Sequence, residues 1–310
     1  MHAITFLLCC LGVVTAVAIH EQEYMGDKHQ SSTNLTLDFD DLENNSSGIG
    51  FDPWTSPKPL HYRDLYFQSF TVVNVAKALN SLPDPVDVFC AASAPNALFS
   101  SRKEGYVWPR FSLHNLTAAD QPRNPNITFD MQSLTFSPTG KIPGPPGKVL
   151  VLVRLTLIKL PPDPPGGVFP PGASFPGLVR GTPILPVGKH IYQLSVLFGS
   201  GAHQSIKLDY NILRRSIPGF GSHVDVFEVY AELYRRNEED NAWYVEGDWQ
   251  LCMDDIVTDV VENSSVPMVD NEKVGSRFEK GFVTVTPNGS LDYDQLAGQR
   301  IWKELQHVGT

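Results

Sequence analysis

The sequence predicts an all-β protein folded as a two-sheet β-sandwich. About ten stretches alternate apolar with polar residues or run β-branched and aromatic, with Pro, Gly, Ser and Asn between them. Helical spacing of apolar residues is almost absent, the one candidate being a short C-terminal helix at 292–307. Long runs of short strands with turn signals and few helices bury their apolar faces most simply as two packed sheets.

Residues 1–18 carry an apolar core of about a dozen residues, short of the roughly 20 that span a bilayer. They close on Ala16-Val17-Ala18, a small-residue cleavage pattern, so the segment reads as a signal peptide. Residues 19–33 are polar and aperiodic and read as a flexible leader. The sandwich is expected over 34–260, its first strand at 34–42 and a proline-broken loop at 43–63. Strands follow at 64–73, 107–113, 126–136 and 148–160, with an irregular segment at 83–97. In the 126–136 strand Ile127, Phe129 and Met131 share one face.

Residues 161–186 are rich in Pro and Gly without the three-residue glycine period of collagen, and read as an extended insertion loop. Further strands are expected at 190–198, 204–210 and 223–235. In the last of these Val224, Val226, Glu228 and Tyr230 oppose Asp225, Phe227, Val229 and Ala231, as in a strand covered on both faces. A polar turn at 236–241 leads into a strand region at 243–257. Residues 261–310 read as a C-terminal extension with one strand at 282–286. The first and last sandwich strands, Leu35–Leu42 and Trp249–Val257, both carry adjacent aspartates. They are expected to pair, bringing Asp40, Asp41, Asp254 and Asp255 to one end of the sandwich.

An export signal makes the chain secreted, an extracellular protein with no membrane insertion. The Asn-x-Ser/Thr sites at Asn34, Asn44, Asn45, Asn115, Asn126, Asn263 and Asn288 fit glycosylation in that compartment. Outside the signal only Cys90 and Cys252 remain. In an oxidising compartment they pair with each other most simply, two free buried thiols being the alternative. A net charge of −10 without clustered Lys and Arg argues against nucleic acid.

Certain short motifs, Phe39-Asp-Asp-Leu42, the Pro57–Phe70 run, Phe89–Leu98 and Trp249–Ile256, resemble those of a group of secreted fungal proteins without an assigned activity. The general pattern of that group looks like a galactose-binding-like jelly roll, a fold shared with carbohydrate-binding modules. The insertion at 161–186 and the segment after 262 depart from it. The resemblance implies a structural calcium where first and last strands meet, held by Asp40, Asp41, Asp254 and Asp255. Calcium takes about 6–8 oxygens, which clustered carboxylates supply. Adjacent strand residues point to opposite faces, so one aspartate of each pair faces a shared site unless a bulge intervenes.

Trp54 and Trp108 adjoin prolines in loop-like sequence and are the candidate sugar-stacking residues, whereas Trp243 and Trp249 suit a core. No nucleophile elbow, His-Glu-x-x-His pair or phosphate loop is present. The expected function is that of a secreted, non-catalytic glycoprotein binding glycan at the cell wall or surface. A structural or host-interaction protein without a sugar site is the alternative. A carbohydrate-active enzyme, resting on some pair among the 34 acidic residues, is the weaker one.

Overall fold

A computed structural model describes residues 30–44, 46, 48, 60–77, 93, 95–100, 109–115, 124, 126–160, 191–201, 205–263, 278–285 and 290–292. The signal peptide, the 161–186 insertion, residues 293–307 of the expected C-terminal helix, Cys90, Trp54 and Trp108 lie outside the described residues.

The early strands are β1 (Gln30–Leu37), β2 (Leu60–Tyr62), β3 (Leu65–Gln68), β4 (Phe70–Asn74), β5 (Asn96–Ser100) and β6 (Arg110–Ser112). Next come β7 (Ile127–Pro138), β8 (Val149–Ile158), β9 (Ile191–Gly199) and β10 (Ile206–Asp209), then the helix α1 (Tyr210–Ser216). The last are β11 (Val226–Arg236), β12 (Trp243–Trp249), β13 (Leu251–Asn263), β14 (Phe278–Val285) and β15 (Leu291–Asp292). They form two sheets, an all-β sandwich as the sequence predicts. The smaller runs β10-β7-β13-β5-β4 with β1 also on β13, and the larger runs β15-β14-β9-β8-β11-β6-β3-β2 with β12 also on β11. Pairing is antiparallel except between β14 and β9, so a strand from beyond residue 260 belongs to the sandwich.

The sheets face each other across an apolar core. Val151, Val153, Leu155 and Leu157 of β8 and Phe227, Val229, Ala231 and Leu233 of β11 point into it. Opposite them lie Phe129, Met131, Leu134 and Phe136 of β7. The alternate residues of β8 and β11 occupy the far face of the larger sheet, as the two-residue period requires.

Two stretches that read as single strands are divided where the chain passes from one sheet to the other. Ser69, with φ 60°, separates β3 of the larger sheet from β4 of the smaller. Gln250 separates β12 from β13 in the same way. Strands that change sheets through a bend make the corners of a sandwich. The first strand also differs from expectation: β1 starts inside the presumed leader and ends at Leu37, so Asp40 and Asp41 lie in the turn after it. Within the expected 43–63 loop, residues 60–62 pair as β2.

The helix α1 is a correction to the expectation of strand followed by loop. Asp209 ends β10 and caps the helix, its side chain accepting from the Asn211 N–H at 2.8 Å, while Arg214 and Arg215 occupy the negative end of the dipole. Gly221 follows it with φ +73°, and a Cβ there would sit 2.8 Å from Cδ1 of buried Tyr210. Gly221→Ala is therefore expected to cost about 2 kcal/mol in urea unfolding, from backbone strain and the clash together.

Candidate functional site

β13 is flanked along its length by β7 on one side. On the other it pairs first with β5 through Leu251, Cys252 and Met253, then with β1 from Ile256 to Asn263. The expected pairing of first and last strands is thus present, with Leu37 opposite Ile256. At the change of partner the register slips, and Asp255 takes φ 46° in a β-bulge.

Asp40, Asp41 and Asp254 meet separate partners around this junction. Asp254 is fully buried and accepts from the Ser93 N–H at 2.9 Å and the Ser93 hydroxyl at 3.2 Å. Burial pushes its pKa up to about 6, against the lowering effect of the Ser93 and Asp255 N–H groups. Asp40 accepts from the Asn96 N–H at 2.9 Å. Asp41 is exposed, accepts from the Tyr62 hydroxyl at 2.7 Å and lies 3.5 Å from Arg63. The Tyr62 hydrogen bond, with Arg63 assisting, lowers its pKa.

The residues do not fit a calcium centre. The oxygens of Asp40, Asp41 and Asp254 accept from the chain's own N–H and O–H donors, and among the described residues no three His, Cys, Asp or Glu side chains are placed to hold a metal ion. Asp40 instead fastens the chain at Asn96 to the start of the β1–β2 connection, and Asp254 fastens Ser93 to β13. Asn96, also fully buried, completes the clasp by donating to the carbonyls of Phe39 and Leu42 at 2.8 and 2.9 Å.

Polar chemistry of a different kind gathers on the far face of the larger sheet. Arg110 of β6 stands opposite Glu228 of β11, which stands opposite Thr156 of β8, itself opposite Gln193 of β9. Arg110 Nη1 and Glu228 Oε1 are 3.4 Å apart, with side chains only 2% and 5% exposed. Arg110 Nε donates to Gln68 at 2.6 Å. Burial drives both groups toward neutrality: Glu228 is pushed up to about 7 despite its Arg110 neighbour, and Arg110 is pulled down to about 10.

One residue pair along the strands, Arg154 donates to the hydroxyls of Tyr230 and Tyr234 at 2.5 and 2.9 Å and lies 3.2 Å from Glu232. Tyr234 donates onward to Glu232 at 3.0 Å. Burial raises the Tyr234 pKa to about 12 and that of Tyr230 further still. The band reaches solvent here, with Arg154 and Glu232 side chains 17% and 14% exposed. Ser195, opposite Arg154, is buried beside it. Beyond lies an apolar patch of Leu150, Leu152, Leu197, Tyr234 and Trp243, the Trp243 ring covered by Arg236 at 5.7 Å. The Thr156 hydroxyl and the Trp243 indole N–H are buried on this face and have no hydrogen-bond partner among the described residues.

Of the tryptophans expected in the core, Trp243 is 5% exposed and Trp249 is half-buried, donating to the Thr139 carbonyl at 2.9 Å. Among the sequon asparagines, Asn34 and Asn126 are exposed, and Asn44 and Asn115 are half-buried. Asn263 ends β13. Asn45 and Asn288 lie outside the described residues.

Sequence reading missed the band. A signal for it existed: Glu228, Tyr230, Glu232 and Tyr234 recur at every second position of one strand, which places them on one face. Comparison with family models, curated proteins and solved structures finds no match. Among the described residues no helix is long and apolar enough to cross a membrane.

Proposed function

We propose that the protein is a secreted, non-catalytic glycoprotein that binds glycan at a cell wall or surface through the far face of its larger sheet. The observation that carries this reading is the open end of the band, where Arg154 and Glu232, with side chains 17% and 14% exposed, meet beside the Tyr230 and Tyr234 hydroxyls. Sugars present many hydroxyls and flat apolar faces. The partly exposed Arg154 and Glu232 offer a donor and an acceptor to such hydroxyls.

The band does not suit hydrolysis. Glu228 and Glu232 lie four residues apart on one strand, about 13 Å along its axis. Glycosidase carboxyl pairs stand about 5–9.5 Å apart. Glu228 is moreover committed to Arg110.

The secretory part of the reading is supported by exposed sequon asparagines at Asn34 and Asn126. It includes a Cys90–Cys252 disulfide, supported by the full burial of Cys252. The test is a glycan-array screen of the protein secreted from eukaryotic cells. Binding to a family of related glycans is the expected result. No binding to any glycan would remove the reading.

A further inference from the structure

An exposed strand edge offers unpaired N–H and C=O groups to any other strand, and proteins blunt such edges with short strands, charges, prolines or bulges. The other edge strands of the described sheets follow that rule. β2, β4, β10 and β15 are five residues or fewer. β12 carries Glu246 and Asp248 and a register shift against β11. β1 has none of these devices. It is eight residues long, Gln-Ser-Ser-Thr-Asn-Leu-Thr-Leu, without a charge or a proline, and its register with β13 runs unbroken from Gln30 to Leu37. What it carries instead is the Asn34 sequon, near its middle. We propose that sugar on Asn34 guards the open edge of β1, and that without it two copies of the chain join there, edge to edge.

Leu35 and Leu37 face the core, so Ser32, Asn34 and Thr36 occupy the other face of the strand, and all three are exposed. The Thr36 carbonyl accepts from Arg63 Nη1 at 2.6 Å, so the Thr36 backbone faces away from β13. Backbone direction alternates along a strand, and the Ser32 and Asn34 backbone groups therefore face the same way. β13 lies on the inner side, and among the described residues no strand pairs with the outer one. A second copy fits because it brings the same neutral edge, turned about a two-fold axis. With the axis at Thr33, Ser32 of one copy meets Asn34 of the other, and each such pair exchanges both of its backbone bonds. The sugar opposes this arrangement. It is a bulky, solvated group on the Asn34 side chain, placed beside Ser32 of an incoming copy. In the two-fold pair both Asn34 side chains share one face, diagonally about 7–8 Å apart, which crowds two branched glycans. The transferase acts before folding, so the sugar is in place when the edge forms.

The guard rests on the glycoprotein reading proposed above. Thr36→Ala removes the Asn34 sequon, keeps Asn34 itself and leaves the carbonyl that meets Arg63 in place. Thr36→Ser preserves the sequon, and Asn34→Gln removes it at its other end. The experiment compares these variants with wild type, all secreted from eukaryotic cells. Glycopeptide mass spectrometry reads the sugar at Asn34, and sedimentation velocity reads the size of the folded species. Wild type and Thr36→Ser are expected to carry the sugar and sediment as monomers. Thr36→Ala and Asn34→Gln should lack it and sediment at twice the chain mass. Adding Ser32→Lys to Thr36→Ala places a charge on the edge and should return the monomer. Folded monomers of Thr36→Ala and Asn34→Gln would overturn the guard. So would a wild type that dimerises with its sugar on, a dimer that survives Ser32→Lys, or a wild type bare at Asn34 but glycosylated elsewhere, each leaving the glycoprotein reading standing. Sugar at no site would overturn that reading and the guard with it.

Discussion

Arg110→Met is expected to destabilise the fold by about 3–5 kcal/mol at pH 8, above the Glu228 pKa of about 7, because it strands a buried carboxylate. Glu228→Met should cost a similar amount by stranding the guanidinium. The double variant should come back to wild-type stability or above it, since two apolar side chains of suitable volume need no desolvation of charge. Urea unfolding of the four proteins closes the cycle, and additive losses in the double variant would contradict the account.

The same pair sets a pH dependence. Glu228 moves from 4.5 to about 7 on folding and Asp254 from 3.8 to about 6, in both cases chiefly through burial. A raised carboxyl pKa means that the native state holds a proton the unfolded chain has already released. Stability therefore falls as pH rises, across 4.5 to about 7 for Glu228 and across 3.8 to about 6 for Asp254. The Glu228 shift corresponds to roughly 3 kcal/mol, the larger of the two effects. Asp41, whose pKa is lowered by its Tyr62 hydrogen bond, acts in the opposite sense and only below its ordinary 3.8. Tm should rise between pH 8 and pH 5, and most of that rise should vanish in the Arg110→Met, Glu228→Met double variant.

Phe111→Ala is expected to cost about 3–5 kcal/mol, the range for a large aromatic removed from a tight core. Phe111 is fully buried between the sheets. Its ring centroid lies 4.7 Å from Phe227, 5.3 Å from Phe67 and 5.6 Å from Phe129, so it joins three strands of the larger sheet to β7 of the smaller. Phe67 in turn meets Phe39 at 5.5 Å and Phe70 at 6.1 Å. Removing the central ring leaves a cavity bounded by stiff rings, which collapse poorly, so the loss should stand at the upper end of the range. Phe111→Leu should lose clearly less, and equal losses for both variants in urea unfolding would contradict a packing role.

The sandwich was legible because its long strands keep their alternation: β8 and β11 place Val and Phe inward at every second position. The corners were not. Apolar residues continue through Ser69 and Gln250 without Gly or Pro to mark a change of sheet, and Ser69 adopts a left-handed conformation that its type does not announce. The pairing of β1 with β13 was readable from matching patterns, yet the role of the aspartates was not. Their partners are largely backbone N–H groups at Ser93 and Asn96, and a backbone donor leaves no trace in residue type. Glu228 was visible as a polar residue on a covered face, but its partner Arg110 is 118 positions away. Such distant pairing emerges only once the strand order is fixed. The helix α1 was hidden by its length, seven residues, although Asp209 and the Arg214–Arg215 pair are a cap and a basic end.

Recognition of glycan by the far face of the larger sheet is tested most directly by calorimetric titration of an array-selected glycan into wild type and Glu232→Gln. Glu232 is one of the two partly exposed side chains of the band, and glutamine keeps its shape and its capacity to accept from the Tyr234 hydroxyl, so both proteins should fold. Affinity is expected to fall about tenfold, the worth of one hydrogen bond to a charged acceptor. Equal affinity for the two proteins, with both folded, would contradict the assignment of the glycan to this face.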